Sequence, residues 1–272
     1  MTAVLLIPWF RLGPLIFDLG GRDVTVFPFQ IAVGTAFVAV LFVAVLFARR
    51  HGRSVEQTLD LAITGAAFAL PFAVLFNILQ YQRETLGLVF SEPGRISDLT
   101  LHWSSYGGMI GGAIGALVWK WRSKGSLLEI GDSFFFALPF GLILARLGCF
   151  SVHDHPGRVS HFVLAVADYQ IGLPPYLPRH DLGLDEAIMA VLVATLLMFL
   201  SRRPRKPGFY IGIVAILQPS LRFLLDFLRA AEAEGGDARY FGLTLGQYVA
   251  VTAVTFGIVI MRYVRTRAVA SC

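Results

Sequence analysis

The composition places this chain among integral membrane proteins. Of its 272 residues, 56% are hydrophobic and only 15% are charged, and the mean hydropathy is +0.68. Soluble domains are about 45–50% apolar and about 25% charged, so disordered chains, disulfide scaffolds, collagens and soluble enzymes are excluded. The net charge of +5 does not indicate nucleic-acid binding, because the basic residues flank apolar blocks and do not line one soluble face.

Hydropathy predicts an all-α membrane protein with seven transmembrane helices, which form a single domain over residues 1–272. About 20 apolar residues cross the hydrocarbon core of a bilayer. The seven blocks near that length are residues 25–48, 57–80, 105–121, 131–150, 183–201, 207–230 and 241–263. Residues 1–20, with Trp9 and Phe10, are expected to form an amphipathic lead-in at the membrane interface. The first residues lack a basic n-region and a cleavage site, so we expect no removable signal peptide.

Clusters of lysine and arginine predict the orientation. Each odd-numbered span is followed by basic residues, and loops rich in such residues stay on the cytoplasmic side. The clusters are Arg49, Arg50 and Arg53; Lys120, Arg122 and Lys124; Arg202, Arg203, Arg205 and Lys206; and Arg262, Arg265 and Arg267. We therefore expect the N-terminus outside and the C-terminus in the cytoplasm. The outward loops are then 81–104, 151–182 and 231–240, of which 151–182 is the longest and, as a long connection, a candidate for function.

Charged residues inside two predicted spans must face protein or water, because an arginine at the bilayer centre costs about 2.5–3.5 kcal/mol. Arg222, Asp226 and Arg229 in the sixth span are spaced to share one helix face, and Arg146 lies in the outer end of the fourth. One interpretation is a neutralised ion-pair ladder that joins helices. The surplus of arginines favours a phosphate site, because a guanidinium donates two parallel hydrogen bonds to an oxyanion. At the end of a membrane bundle, we expect that phosphate to belong to an anionic phospholipid.

Glycines recur at every fourth position in the third span. Gly107, Gly111 and Gly115 have the spacing of closely packed membrane helices. Gly107 and Gly108 also follow Tyr106, where bare backbone would leave room for a lipid headgroup. Both interpretations are retained.

The outer loop begins with His153, Asp154 and His155, residue types that bind zinc. One His-x-His motif without a second ligand cluster is a poor zinc signature, so we expect no metal and no cofactor. Asp154 is instead expected to orient the guanidinium of Arg146.

Further polar residues lie at the start of the fifth span. Arg179, His180 and Glu186 are either an ordinary polar helix entry with an acidic first turn or part of the lipid site. Cys149 is interpreted as a small buried hydrophobe, with a transient acyl or redox role as the alternative. It and Cys272 are too few for a disulfide framework.

At these residues the chain resembles the prolipoprotein diacylglyceryl transferase family. A family signature similar to Gly-Arg-x-Gly-Asn-Phe-x-Asn-x-Glu-x-x-Gly aligns with residues 145–157. The residues in register are Arg146, Gly148, Phe150, Asp154 and Gly157. Residues 179–186 echo a second motif, Arg-His-Pro-Ser-Gln-Leu-Tyr-Glu, and residues 222–229 match a third, Arg-Phe-x-x-Glu-Phe-x-Arg. The resemblance covers most of the chain and implies a seven-span enzyme of the bacterial inner membrane whose active site faces the periplasm.

The chain departs from the family pattern near the proposed centre. Tyr106 stands where the family has a histidine before two glycines, and Cys149 and Val152 replace two asparagines. Phe29 stands where a tyrosine is expected, and an arginine common in the second span has no counterpart.

The resemblance implies transfer of a diacylglyceryl group from phosphatidylglycerol to the lipobox cysteine in the signal peptide of a prolipoprotein, with release of glycerol phosphate. The nucleophile is a thiolate, and the departing phosphate requires preorganised positive charge. Arg146 and Arg222 are the candidates for that charge. The residues expected to support them or to shape the headgroup pocket are Asp226, Arg229, Asp154 and Gly157.

The general base is open at this point. Tyr106 occupies the position of the family histidine, but the ordinary pKa of a tyrosine, about 10, is too high unless nearby cations lower it. If the third span begins slightly before residue 105, His102 lies one helical turn before Tyr106 and is a substitute, and His153 and His180 are further alternatives. Two other functions are also open: a diverged scaffold that binds an anionic phospholipid for a different donor or acceptor, and a non-enzymatic lipid-binding or transport protein.

Overall fold

The computed structural model describes residues 6–18, 20, 23–92, 103–171 and 175–269. The α-helices in these ranges are α1 (Pro28–Arg50), α2 (Val55–Tyr81), α3 (Arg83–Ser91), α4 (Ser105–Arg122), α5 (Leu127–Val152), α6 (Leu182–Leu200), α7 (Phe209–Leu225) and α8 (Leu245–Val269). The strands are β1 (Leu15–Asp18), β2 (Asp23–Val26), β3 (Pro156–Val159), β4 (Val166–Tyr169), β5 (Leu177–Asp181), β6 (Arg239–Tyr240) and β7 (Leu243–Thr244). Short 3-10 turns cover Asp226–Leu228 and Glu232–Glu234.

Six of these helices are long and apolar enough to cross a membrane, which confirms a multi-pass membrane protein. They are α1, α2, α5, α6, α7 and α8. The third predicted span is helical as α4, but its glycines and the terminal Lys120 and Arg122 leave it short of the required hydropathy. The seventh span and the orientation therefore stay predictions.

The predicted outward loops contain regular structure that hydropathy did not indicate. The 81–104 segment includes α3, and its His102 lies outside the described residues. The 151–182 segment forms a three-stranded antiparallel sheet in the order β3-β5-β4. Residues 6–14 are extended and contain no helix, and Ile7 pairs with Val166 at the edge of that sheet.

The chain divides into two compact units. The unit Ala48–Gly131 is held together by the packing of α4 on α2 through buried glycines. A Cβ on Gly111 would lie 2.5 Å from the carbonyl oxygen of Phe68, and a Cβ on Gly115 would lie 2.8 Å from that of Thr64. Gly107 meets α2 in the same way. The predicted small-residue packing is therefore confirmed.

The second unit comprises Met1–Phe47 and Asp132–Cys272. Its apolar core contains Phe47, Phe136, Val193, Leu197, Tyr210 and Val214. The buried carboxylate of Asp132 on α5 accepts hydrogen bonds at 2.9 Å from the amides of Gly208 and Ile211. These are donors at the start of α7 that have no partner within their own helix. In a membrane such donors must be satisfied internally, so Asp132 fixes where α7 begins.

The sixth predicted span ends earlier than expected. Helix α7 stops at Leu225, a 3-10 turn follows, and Arg229 has an extended backbone with ψ 142°. Asp226 and Arg229 nevertheless form the predicted i, i+3 ion pair at 2.9 Å. Arg222 lies near Asp226 and also pairs with Glu186 on α6, a contact that the predicted ladder did not include. The helix unwinds where Asp226 and Arg229 make contacts outside it.

The α2–α4 contact predicts that alanine destabilises the protein at one of two adjacent glycines and not at the other. In Gly111→Ala the new methyl group meets the backbone of α2, so we expect the free energy of unfolding to fall by about 1–3 kcal/mol. In Gly112→Ala the methyl group meets no atom within 4 Å, so we expect no loss. Thermal unfolding in detergent, followed by circular dichroism, measures both, and equal stability of the two variants would contradict this packing.

Candidate functional site

Glu186 lies between two arginines that come from different helices. Its Oε2 is 2.8 Å from Nε of Arg146 on α5, and its Oε1 accepts a hydrogen bond from Nη1 of Arg222 on α7. Glu186 itself is on α6, five residues after the capping residue Asp181. Three helices therefore contribute to one charged cluster, which we call the arginine pair with its bridging carboxylate.

The exposure of these side chains differs in a way that suits anion binding. The Glu186 side chain is 4% exposed, whereas those of Arg146 and Arg222 are 20% and 26% exposed. Two guanidiniums face one carboxylate, and the neighbouring Asp226, which also lies near Arg222, is paired with Arg229, so a surplus of one positive charge remains. Each guanidinium has five N–H donors in a planar fork, and the bridging carboxylate orients both forks while it leaves part of each accessible. The cluster can therefore accept an additional anion.

The beginning of α8 adds to this positive environment. A Cβ placed on Gly246, in the first turn of α8, would lie 3.7 Å from both Arg222 Nη2 and Asp226 Oδ2. The N-terminus of a helix carries a partial positive charge and unpaired amides that favour anions. Arg222 therefore lies beside a second feature that attracts negative charge.

Two sequence predictions about this cluster need correction. Asp154 was expected to orient Arg146, but among the described residues the carboxylate within ion-pair distance of Arg146 is that of Glu186. Glu186 is also more than a polar helix entry, because it is buried and bridges two other helices. The sequence separation of 36 residues between Glu186 and Arg222 carries no local signal for this contact.

Asp181 holds the start of α6 in place. Its Oδ1 accepts hydrogen bonds from the amides of Gly183 at 2.9 Å and Leu184 at 3.2 Å, which is the capping geometry of a helix N-terminus. Its Oδ2 is 2.6 Å from Nδ1 of His153 and accepts a hydrogen bond from the hydroxyl of Tyr169 at 3.2 Å. Burial raises the pKa of Tyr169 well above its ordinary value, so this hydroxyl keeps its proton and stays a donor. The same carboxylate thus fixes both the loop sheet and the helix that carries Glu186.

His153 ties the N-terminal segment to this point. Its Nε2 is 2.5 Å from the carbonyl oxygen of Phe10, and its ring stacks on Trp9 with centroids 4.4 Å apart. Both ring nitrogens therefore face acceptors, and the side chain is fully buried. These contacts give His153 a structural role, and they do not support its candidacy as a general base. The local sequence could not indicate this, since both partners are distant along the chain.

A second ion-pair group lies at the end of α7. Asp226 accepts hydrogen bonds from Nε of Arg229 at 2.9 Å and from the hydroxyl of Thr244, and Arg229 is also 3.4 Å from Asp237. Thr244 and Gln247 hydrogen-bond reciprocally at the start of α8, which is the arrangement of a capping box. The group therefore positions α8 next to Arg222. The contacts of Asp226 and Arg229 support a structural role, and their predicted roles in substrate binding gain no support.

Arg179 and Gly157 hold the loop sheet against the following segment. The guanidinium of Arg179 contacts both carboxylate oxygens of Glu234, at 2.9 and 3.1 Å, and donates to the Gly157 carbonyl at 3.1 Å. A Cβ on Gly157 would lie 2.6 Å from the Cβ of His180, so only glycine fits this close approach. The hydrogen bond from Arg179 holds the pKa of the Glu234 carboxyl below its usual range. Nδ1 of His180 lies 3.3 Å from Asp185.

The remaining predicted site residues belong to the unit Ala48–Gly131 or lie outside the described residues. Tyr106 is half-buried in the first turn of α4, Gly107 packs on α2, and Gly108 is partly exposed. The packing role of Gly107 is confirmed, whereas a headgroup role for Gly107 and Gly108 stays a prediction. His102 is not described.

One group of potential metal ligands occurs near Arg146. Ligand atoms of Cys149, Asp154 and His155 lie within 4.8 Å of one another. The sequence suggested His153 as the first ligand of this motif, but the structure turns that ring away and places Cys149 in the group instead. Cys149 is buried, as its interpretation as a small hydrophobe predicted.

Comparison with known proteins agrees with the resemblance seen in the motifs. The sequence profile described as "Prolipoprotein diacylglyceryl transferase" matches residues 14–263. A phosphatidylglycerol–prolipoprotein diacylglyceryl transferase from Mannheimia succiniciproducens is 29% identical over 270 residues, covering 95% of this chain and 96% of that protein. Proteins of the same name from Pseudoalteromonas atlantica and Pseudoalteromonas translucida are 28% and 26% identical, over 92% and 91% of this chain and 89% and 91% of their own lengths.

The Arg179–Glu234 contact predicts a pH-dependent contribution to stability. The pKa of Glu234 is lower in the folded chain than its ordinary value of 4.5, so the contribution is present above that value. It is lost as the pH falls through the folded pKa. The Glu234 side chain is 47% exposed, so we expect at most about 1 kcal/mol.

The measurement is the difference in unfolding free energy between the wild type and Glu234→Gln. It should be constant above about pH 5 and should shrink below about pH 4. Glu232→Gln is the control, because Glu232 lies two residues away and forms no ion pair among the described residues. The same pH profile in both variants would refute a specific role for Glu234.

Proposed function

Because the chain belongs to the prolipoprotein diacylglyceryl transferase family, we propose that it transfers a diacylglyceryl group from phosphatidylglycerol to the lipobox cysteine in the signal peptide of a prolipoprotein. Similarity to relatives named for this reaction extends over nearly the whole chain, and this disfavours a repurposed or non-enzymatic lipid-binding scaffold. Each of the three motifs retains its cationic positions and an acidic residue.

The observation that carries the proposal is the arginine pair with its bridging carboxylate. A phosphodiester carries one negative charge and presents oxygens in the spacing that a guanidinium fork matches. Arg146 and Arg222 are held in fixed orientations by Glu186 and stay partly exposed. The pair therefore holds the phosphate of the donor lipid, and the start of α8 adds its partial positive charge beside Arg222.

The reaction requires one bond to form and one to break. The acceptor thiolate attacks the glyceryl carbon that bears the phosphate, a C–S bond forms, and the C–O bond to the phosphate breaks. The electron pair of that bond leaves with glycerol phosphate, whose charge increases as the bond breaks. Arg146 and Arg222 stabilise this charge in the transition state because their orientation is fixed in advance.

The thiol proton must pass to a base, and two residues are candidates. Tyr106 occupies the position of the family histidine at the start of α4, and His102 lies four residues earlier in the sequence. Gly107 and Gly108 would admit the headgroup beside Tyr106. The contacts of His153 remove it from this list, whereas His180, whose Nδ1 lies 3.3 Å from the Asp185 carboxylate, stays a further alternative.

We further propose that the chain is a single transmembrane domain of seven spans in the bacterial inner membrane, with the site at its periplasmic face. The four basic clusters after alternate spans support this orientation. In that arrangement residues 1–20 lie at the outer interface, and the loop sheet and the arginine pair share the outer side. Asp154 and Gly157 would then border the headgroup pocket.

The proposal is tested by transfer to a synthetic lipobox peptide in vesicles that contain phosphatidylglycerol, with the product mass as the readout. The wild type should add one diacylglyceryl group. We expect Arg146→Gln and Arg222→Gln to lower kcat/KM by about 100- to 1,000-fold, as loss of one preorganised charge-stabilising donor does. Arg146→Lys should recover only part of this loss, because an ammonium cannot form the fork.

Arg158→Gln is the matched control, since Arg158 is exposed on β3. It should transfer at the wild-type rate. Full transfer by both Arg146→Gln and Arg222→Gln would disprove the phosphate assignment, and no product from inserted wild-type protein would disprove the transferase activity.

A further inference from the structure

A cluster of three metal-ligand residue types lies at the end of α5, beside Arg146 but with donor atoms other than those of the arginine pair. We propose that Cys149, Asp154 and His155 bind a soft divalent cation, for which zinc is the best match. This inference does not depend on the transferase activity, because it concerns only the ligands that these three residues supply.

The geometry is close to that of a bound ion. One ligand atom from each residue lies within 4.8 Å of the other two. Zinc binds sulfur, nitrogen and oxygen at about 2.0–2.3 Å in a tetrahedron, which separates ligand atoms by about 3.3–3.8 Å. The group must therefore contract by about 1 Å. The side chains of Asp154 and His155 are 41% and 27% exposed, so they can rotate without repacking a core.

The donor set selects the class of cation. A thiolate, an imidazole and a carboxylate are the ligands of zinc sites, and three protein ligands leave one position for water. Magnesium and calcium prefer oxygen ligands throughout, so they are not expected here. On binding, the bond between Cys149 Sγ and the metal forms as the thiol proton is released to solvent. No oxidant or reductant is involved.

The turn after α5 holds the ligands in place. His153 has a φ of +53°, a conformation that is rare for a bulky residue and that persists only where the surroundings enforce it. Its ring contacts with Asp181 and Phe10 supply that restraint. The chain thereby reverses at His153, and the next two residues return toward Cys149 on the last turns of the helix.

Two anionic ligands supply the charge that a cation needs beside Arg146. Cys149 Sγ lies 3.9 Å from Nη1 of Arg146. Glu186 pairs with that guanidinium at 2.8 Å but is shared with Arg222, so the charge of the cation is balanced by its own ligands, the Cys149 thiolate and the Asp154 carboxylate. A thiolate and a carboxylate together match the two charges of the ion.

The test uses the full chain, purified in detergent and treated with a chelator. It carries Cys272→Ser, so that Cys149 is the one cysteine left in the sequence. Zinc binding is measured by competition with a chromophoric chelator, and cobalt is added separately as a spectroscopic probe. We expect one zinc per chain and a near-ultraviolet charge-transfer band with cobalt, which reports a metal–thiolate bond. Cys149→Ser should abolish the band, and His155→Ala should weaken zinc binding by at least about 10- to 100-fold.

His161→Ala is the matched control, because His161 is an exposed histidine of the same loop region that lies outside the group. It should bind zinc as tightly as the parent chain. Asp154→Asn, which keeps the shape of the side chain, should weaken binding, and circular dichroism confirms that each variant keeps its helix content. Absence of the cobalt–thiolate band, or equal zinc affinity of His155→Ala and His161→Ala, would overturn the proposal, whatever the result of the transfer assay.

Discussion

The buried contact of Glu186 with two arginines is the interaction on which the candidate site depends. Without the carboxylate, Arg146 and Arg222 would bring two like charges together in a region of low dielectric, where their repulsion is strong. Removal of one partner from a buried ion pair is costly, at about 3–5 kcal/mol. The glutamate is 4% exposed, so it orients the guanidiniums from the protein side. An incoming phosphate then meets preoriented donors.

Two separate networks position the members of this cluster. On one side, the N-terminal segment contacts His153, and His153 contacts Asp181. Asp181 caps α6, which carries Glu186 one turn later. On the other side, Asp226 binds Thr244 and so fixes the start of α8 beside Arg222. Residues that resemble catalytic groups in the sequence thus act by holding helix ends, where backbone N–H groups lack partners within their own helix.

Features that depend on local periodicity could be predicted from the sequence, whereas contacts between distant segments could not. Apolar blocks of sufficient length indicated the membrane helices, and the four-residue spacing of Gly107, Gly111 and Gly115 indicated close packing. The arginines were recognised as site candidates because a charged side chain inside an apolar block is costly in a membrane and is usually kept for a specific interaction. Their partner was missed, since nothing local links Glu186 to Arg146 or Arg222. The Asp226–Arg229 pair of the sixth span could be predicted because its i, i+3 spacing is local, whereas the pairing of Arg222 with Glu186 joins two helices.

The most direct test of the phosphate assignment is the affinity of purified, delipidated protein for phosphatidylglycerol, measured by native mass spectrometry against zwitterionic phosphatidylcholine. The variant to compare is the triple substitution Arg146→Gln, Glu186→Gln and Arg222→Gln, which replaces the charged cluster with three neutral amides and leaves no buried charge without a partner. Charge-assisted hydrogen bonds contribute about 1.5–3 kcal/mol each, so the account predicts that the variant loses at least about 100-fold in affinity for phosphatidylglycerol. The loss for phosphatidylcholine should be smaller, because its choline cation offsets the charge of its phosphodiester. Equal affinity of variant and wild type for phosphatidylglycerol would contradict it.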